Sequence, residues 1–120
     1  MIFVIDDDKI MAECVKRAIR QVAPKQTVQI FANAIEATAA LNDALPDLIF
    51  LDILLDGPNG FTFLNELASY SDTAKIPIVL ISSLDLRGKD LSDYGVVGIL
   101  DKNTMTPQDV QDFVRSLHEK

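Results

Sequence analysis

The chain is a short, acidic protein whose composition fits a globular domain. It has 120 residues, of which 48% are hydrophobic, and a net charge of −7; we therefore expect a single domain spanning residues 1–120. The negative charge argues against direct binding of nucleic acid or of an anionic membrane. The lone cysteine, Cys14, excludes an internal disulfide, and the absence of a long apolar run or a basic leader predicts a cytoplasmic protein.

The chain opens with an apolar run followed by an amphipathic segment. Ile2–Ile5 is rich in β-branched residues and predicts a buried strand that ends at three consecutive aspartates. Apolar residues from Ile10 to Val22 follow helical spacing, and Asp8 is in position to cap that helix. Cys14 falls on the apolar stripe, so we expect it in the core. Pro24 is expected to end the helix.

A second strand and helix lead to the most informative stretch of the sequence. Val28–Phe31 predicts a short strand, and Asn33 then caps an alanine-rich helix to about Ala44, with Glu36 as its capping partner. The next apolar run, 48–52, is typical of a strand buried on both faces, and it ends on an aspartate. A carboxylate in this position stands where open α/β sheets carry their chemistry.

The second half repeats the alternation of strands and helices. We predict a helix from Gly60 to about Tyr70, a strand over Ile76–Ile81, an irregular helix over Leu84–Gly95, a strand over Val96–Leu100, and a last helix that begins at Thr106-Pro107. Strand–helix alternation predicts an α/β fold with a parallel sheet and helices on both faces. Right-handed crossovers limit the possible topologies to a few, and the flavodoxin-like doubly wound order 2-1-3-4-5 is among them.

Polar residues follow four of the predicted strands. They are Asp6 and Asp7 after the first strand, Asp52 after the third, Ser82 after the fourth and Lys102 after the fifth. In a parallel sheet these ends share one edge, so the side chains should converge. Clustered carboxylates repel one another unless cations compensate, which predicts Mg²⁺ or Mn²⁺ together with the lysine ammonium. Such a site suits formation of an acyl phosphate on Asp52.

Four short motifs resemble one known family along the whole chain. They are Val4-Ile5-Asp6-Asp7-Asp8, then Leu51-Asp52-Ile53-Leu54-Leu55 with Gly60 eight residues after Asp52, then Ile81-Ser82-Ser83, and finally Ile99-Leu100-Asp101-Lys102. The sequence is similar to the receiver (CheY-like) domain of two-component response regulators. The resemblance implies that Asp52 accepts a phosphoryl group from a sensor histidine kinase or phosphotransferase.

The resemblance also implies roles for the neighbouring residues. Asp7, Asp52 and the backbone carbonyl of Leu54 would bind Mg²⁺ directly, and Asp6 would bind it through water. Lys102 would pair with the phosphoryl group, and Ser82 would move toward it. That motion would repack the face formed by the fourth helix, fifth strand and last helix, and so signal to an effector protein or a fused output domain. The family leaves homodimer formation open, and its members catalyse only their own phosphorylation and dephosphorylation.

The sequence departs from the family pattern at several positions. Ile99 stands where an aromatic residue usually accompanies the hydroxyl, and Asn103 stands where a proline, often after a cis peptide, usually follows the lysine. Because a cis bond before a non-proline costs about 3 kcal/mol, we expect this loop to run differently. Asp56 replaces a common proline. Leu54 and Leu84, each two residues beyond a site residue, are expected to exclude water and slow self-dephosphorylation.

Two other functions remain open from the sequence. One is a degenerate receiver that signals by protein contact without phosphorylation. The other is a phosphohydrolase resembling the haloacid dehalogenases, with Asp6 as nucleophile and Asp8 as acid, although Ile10 stands where that family has threonine. A nucleotide-binding domain is excluded because no glycine-rich phosphate loop follows the first strand.

Overall fold

The fold is a five-stranded parallel sheet in the order β2-β1-β3-β4-β5, as the sequence predicts. The computed structural model describes residues 1–53, 60–83 and 91–118, apart from the side chains of Ser92 and His118. The strands are β1 Ile2–Ile5, β2 Val28–Phe31, β3 Leu48–Asp52, β4 Ile78–Ser82 and β5 Val96–Asp101. The helices are α1 Lys9–Val22, α2 Ala34–Leu41, α3 Gly60–Ala68 and α4 Pro107–His118, with a short 3₁₀ helix over Ser92–Tyr94.

Helix caps form where the sequence places them. The Asp8 carboxylate accepts hydrogen bonds from the Ile10 and Met11 amides at 3.0 and 3.2 Å. Asn33 accepts from the Glu36 amide at 2.9 Å, and the Glu36 carboxylate accepts from Ala32. At α4, the amide of Thr106 donates to Asp109, whose own amide faces the threonine hydroxyl. These bonds satisfy amides that lack partners in the first helical turn.

Three predicted boundaries differ from the structure. Strand β4 begins at Ile78 rather than Ile76, because the Ile76 amide closes a turn with the Thr73 carbonyl and Pro77 has no amide hydrogen to give to the sheet. Helices α2 and α3 end at Leu41 and Ala68, a few residues before the predicted ends. The amide that follows each helix, of Asn42 and of Ser69, donates to the carbonyl three residues earlier, as in a tighter turn. Of the irregular helix predicted over 84–95, the part from 84 to 90 lies outside the described residues.

Apolar clusters cover both faces of the sheet. On one face α1 and α4 pack over residues that include Val4, Phe50 and Val79. On the other face α2 and α3 pack over residues that include Phe3, Leu51 and Leu80. Strands β1, β3 and β4 are buried along their whole length, which explains their continuous apolar sequences.

The prediction that Cys14 lies in the core is wrong. The thiol is exposed, and so is Ile10, at 79% of its surface. The buried stripe of α1 instead consists of Ala12, Val15, Ala18 and Ile19. The apolar residues of α1 occupy a wider part of the helix surface than the part that packs on the sheet. Those at the border of the packed part therefore remain exposed.

Two glycines allow close approach of helices to the sheet. A Cβ on Gly60 would lie 2.6 Å from Ile53 Cα, so this glycine lets α3 begin directly against the residue that follows Asp52. A Cβ on Gly98 would overlap the Phe113 ring, which packs on the edge strand β5. Within the described ranges, no helix has the length and hydrophobicity needed to cross a membrane.

Candidate functional site

The predicted site residues meet at the carboxyl edge of the sheet. Asp52 ends β3 and Ser82 ends β4, while Asp6 directly follows β1. The parallel register pairs Ile5 with Leu51 and Asp52 with Ile81, which brings these ends level. Asp6, Asp52 and Ser82 are 2%, 3% and 1% exposed. Polar groups with so little access to water require partners close at hand.

Lys102 lies between the two buried carboxylates. Its Nζ donates to Asp52 Oδ2 at 3.0 Å and lies 3.7 Å from Asp6 Oδ1. The backbone positions this side chain, because the Lys102 amide donates to the Ser82 carbonyl at 2.9 Å and so extends the pairing of β4 and β5. Burial alone would lower the pKa of Lys102, but its hydrogen bond to Asp52 and the charges of Asp6 and Asp52 raise that pKa. The ammonium group therefore stays charged.

Asp6 carries the most perturbed carboxyl group of the site. Its Oδ1 accepts the Asp8 amide at 2.9 Å, whereas its buried Oδ2 has no hydrogen-bond partner among the described residues. Burial raises the pKa of Asp6 to about 6, and the charge of Asp52 acts in the same direction, against the Asp8 hydrogen bond and Lys102. The ammonium of Lys102 thus balances only one of the two carboxylates, Asp6 and Asp52.

The geometry of the acids fits a divalent cation. Carboxylate oxygens of Asp6, Asp7 and Asp52 all lie within 4.8 Å of one another. An all-oxygen donor set is the kind that Mg²⁺ or Mn²⁺ accepts, and the buried Asp6 Oδ2 has no hydrogen-bond partner among the described residues. Asp7 is exposed, so a cation here would keep contact with water. The backbone carbonyl of Leu54, predicted as a further ligand, lies outside the described residues.

The departures from the family pattern are visible around Lys102. Ile99 is 39% exposed on β5. The Lys102–Asn103 peptide is trans, and the Asn103 amide donates to Asp101 Oδ1 at 2.8 Å. The loop is thus held by an Asx turn. An aspartate side chain that accepts the amide two residues further on is a known turn signal, so Asp101 could have predicted this turn from the sequence. Asp56 and Leu84 lie outside the described residues.

Sequence reasoning also missed an apolar groove beside the site. It lies between α1 and the loop from β5 to α4, has a volume of about 250 Å³, and is lined by residues that include Met11, Cys14, Met105, Pro107 and Lys102. Met11, Cys14, Val15 and Ala18 of α1 form one wall. Since Lys102 belongs to both the groove and the acidic site, a protein seated in this groove would lie next to Asp52.

Comparison with known proteins agrees with this geometry. Residues 2–115 match the family model described as the response regulator receiver domain. The chain belongs to this family. The response regulator PleD of Caulobacter vibrioides is 35% identical over 92 residues, which cover 72% of this chain and 19% of PleD. A protein-glutamate methylesterase/protein-glutamine glutaminase of Agrobacterium fabrum is 31% identical over 91 residues, which cover 76% of this chain and 25% of that protein.

A solved structure has the same fold. The phosphorylated cyanobacterial phytochrome response regulator RcpA aligns with a TM-score of 0.78 and 24% identity, covering 98% of this chain and 90% of RcpA. This receiver domain spans a quarter or less of the length of the two curated relatives. Asp8, the predicted acid of a dehalogenase-like enzyme, instead caps α1 with its carboxylate. The receiver arrangement of a two-component response regulator therefore accounts for the acidic site.

Proposed function

We propose that this receiver domain accepts a phosphoryl group on Asp52 from a sensor histidine kinase or phosphotransferase. The observation that carries the proposal is the Asp52 carboxylate, buried at the end of β3 with the Lys102 ammonium 3.0 Å away and two further carboxylates beside it. The match to the phosphorylated regulator RcpA supports it. In this proposal residues 1–120 act as one receiver domain with no catalysis beyond its own phosphorylation and dephosphorylation.

The residues of the chain have distinct parts in the proposed transfer. An Asp52 carboxylate oxygen attacks phosphorus, the bond between phosphorus and the donor histidine nitrogen breaks, and that nitrogen keeps the electron pair and takes a proton from solvent. Lys102 neutralises a phosphoryl oxygen, and the Ser82 hydroxyl donates a hydrogen bond to another. Asp6, Asp7 and Asp52, with the Leu54 carbonyl, are the residues that would hold Mg²⁺ or Mn²⁺. A bound divalent ion would supply further positive charge to the phosphoryl oxygens.

The output follows from movement at the same edge. The Lys102 amide donates to the Ser82 backbone carbonyl, so a shift of the Ser82 backbone toward the phosphoryl group would reach the end of the edge strand. A downstream effector protein, an output domain in the same polypeptide, or a second copy in a homodimer would read that change. Ile99 offers no aromatic ring for the switch, so the strand itself would carry the change. We place this activity in the cytoplasm, where histidine kinases deliver phosphoryl groups.

The test is the intact mass of the protein after incubation with Mg²⁺ and acetyl phosphate. We expect a phosphoryl adduct on the wild-type chain and none on Asp52→Asn, which removes the nucleophile and keeps the shape. Asp43→Asn, an exposed acid on the opposite edge of the sheet, is the matched control and should form the adduct normally. An adduct on Asp52→Asn would contradict the assignment of the acceptor.

A second readout separates this function from a degenerate receiver. Mg²⁺ binding is measured through the melting temperature. We expect Mg²⁺ to raise the melting temperature of the wild-type chain and to have no such effect on Asp7→Asn. Mg²⁺ binding with no adduct, from acetyl phosphate or from a cognate kinase, would favour a receiver that acts by protein contact alone.

A further inference from the structure

The net negative charge of this protein comes from one part of the chain. Residues 26–74 contain seven acidic residues and no lysine, arginine or histidine. The remaining eleven acidic residues are matched by the eleven lysines and arginines, so this stretch carries the whole net charge of −7. It contains α2, β3 and α3. Four of these acids, Glu36, Asp43, Glu66 and Asp72, lie on α2 and α3 or within four residues after them, where the sequence has no lysine or arginine. Helices α1 and α4, on the other face, carry both signs of charge.

A groove opens on the acidic face between α2 and α3. Its volume is about 320 Å³, at the lower end of the range for ligand-binding clefts. The floor and walls include Leu41, Phe63 and Leu67, and its margin includes Leu45 and Tyr70. Leu45 is 46% and Tyr70 68% exposed, two of the most exposed large apolar residues in the described part of the chain.

Helix α2 has few long side chains. Four of its eight residues are alanine, and none of these alanines lines the groove, which α2 meets through Thr38 and Leu41. On the opposite side of the sheet, the longer helices α1 and α4 are in contact, and Gln111 donates hydrogen bonds to the Ala18 carbonyl at 3.1 Å and to Gln21 at 2.9 Å. No comparable bond joins α2 to α3 within the described ranges. Phe63 and Leu67 in the floor are buried, so Leu45 and Tyr70 offer most of the exposed apolar surface of the groove.

The charged residues that line the groove in the described part of the chain are both acidic, Glu66 and Asp72. The exposed Asp43 directly follows Asn42, which also lines it. None of these three carboxylates has an ion-pair partner within the described residues. An apolar groove bordered by unpaired acids is complementary to a segment that has apolar residues on one side and cationic residues on the other.

We propose that the α2–α3 groove binds a basic amphipathic segment of a partner protein, with an apolar side chain between Leu45 and Tyr70 and lysine or arginine residues along the acidic rim. This interaction does not depend on the phosphorylation proposed above. The groove lies at the carboxyl ends of α2 and α3, hence toward the amino edge of the sheet, whereas Asp52 lies at the carboxyl edge. A partner bound here would leave the phosphorylation site accessible.

The probe is a synthetic helical peptide of about 15 residues, long enough for a marginal helix in water. Leucines at helical spacing form its apolar face, and lysines occupy the other face. Two matched peptides replace every lysine by glutamate or every leucine by serine. Amide chemical shifts of the protein, followed during titration with each peptide, report both the affinity and the place of binding. We expect shifts over 38–45 and 63–73 with the basic peptide and no binding of either matched peptide.

Variants of the groove separate its apolar and ionic contributions. Leu45→Ser and Tyr70→Ser should each weaken binding about tenfold, as expected for loss of a buried apolar contact. Glu66→Gln and Asp72→Asn should each weaken it about two- to fivefold and reduce its salt dependence. Ile10→Ser and Glu13→Gln make the same changes at exposed positions of α1, on the other face, and should leave the affinity unchanged.

Three results would overturn the proposal. One is binding of the glutamate peptide as tight as that of the lysine peptide. Another is a set of shifts on α1 or α4 in place of α2 and α3. The third is self-association of the protein that Leu45→Ser or Tyr70→Ser abolishes, because the occupant would then be a second copy of this chain. A melting temperature like that of wild type shows that a variant with lost binding is folded.

Discussion

Two acidic regions of this receiver domain use carboxylates in opposite ways. At the carboxyl edge of the sheet, Asp6 and Asp52 are almost fully buried, lie close together and share Lys102. Around the α2–α3 groove, acids such as Glu66 and Asp72 are exposed and spread along an apolar surface. The first arrangement raises a pKa and concentrates charge on a small volume. The second leaves each acid hydrated and contributes only a diffuse negative field.

Burial, more than the number of acids, therefore decides how strongly the carboxylates of each region act on one another. Exposed charges are screened by salt within about 8–10 Å, whereas buried charges are screened much less. The sheet itself buries Asp6 and Asp52, because strands β1 and β3 are apolar up to the residue before each of these acids. Substitutions at the two regions should therefore differ greatly in effect.

The largest effect is expected from removing the cation of the buried region. Lys102→Met keeps the length of the side chain and removes the ammonium that lies 3.0 Å from Asp52. We expect the rate of phosphorylation by acetyl phosphate to fall by about 100- to 1000-fold, the usual loss when one preorganised donor is removed. The rate is measured from adduct mass against time. Lys75→Met changes an exposed lysine, and a rate for Lys102→Met equal to that control would contradict the role of Lys102.

The next effect concerns stability and pH at Asp6. Because its pKa is raised from 3.8 to about 6, the folded chain holds this proton more tightly than the unfolded chain. The ionised form therefore destabilises the fold, and stability is lost as pH rises from about 4 through 6. In metal-free buffer, Asp6→Asn should be more stable than wild type at pH 7 by at most about 3 kcal/mol.

The urea-unfolding free energy as a function of pH measures this difference. The advantage of Asp6→Asn should shrink as pH falls through 6 toward 4. Asp43→Asn changes an acid of the exposed region and should stay within about 0.5 kcal/mol of wild type throughout. An advantage for Asp6→Asn that is the same at pH 4 and pH 7 would show that the ionisation of Asp6 is not its origin.

The smallest expected effect is on the lifetime of the phosphorylated protein, which depends on whether the site excludes water. Leu54 and Leu84 lie outside the described residues, so this prediction rests on the sequence. We expect the phosphorylated wild-type protein to persist several-fold longer than Leu54→Asn, whose amide can orient an attacking water. The decay of the adduct after removal of the phosphodonor measures both lifetimes. Equal lifetimes, or a longer one for the variant, would refute water exclusion by leucine.

Local sequence patterns were enough for much of the fold. Continuous apolar runs gave the buried strands, and capping residues such as Asp8 and Asn33 marked helix starts that the structure confirms. Boundaries were less accurate where turn hydrogen bonds competed with the strand or helix, as at Ile76. Cys14 was misassigned because spacing identifies an apolar arc but does not indicate how much of that arc a neighbouring element covers.

Strand–helix alternation with right-handed crossovers limited the sheet to a few topologies, and the receiver motifs pointed to the order that the structure has. Any such parallel sheet brings Asp6, Asp7, Asp52, Ser82 and Lys102 to one edge. The contacts among those groups came from the tertiary structure. It placed the ammonium within reach of both buried acids and left one Asp6 oxygen without a partner among the described residues. It also formed a groove between α2 and α3 whose lining includes Leu41, Phe63 and Tyr70. Distances and gaps of this kind depend on side chains brought together from distant parts of the chain, which no local pattern records.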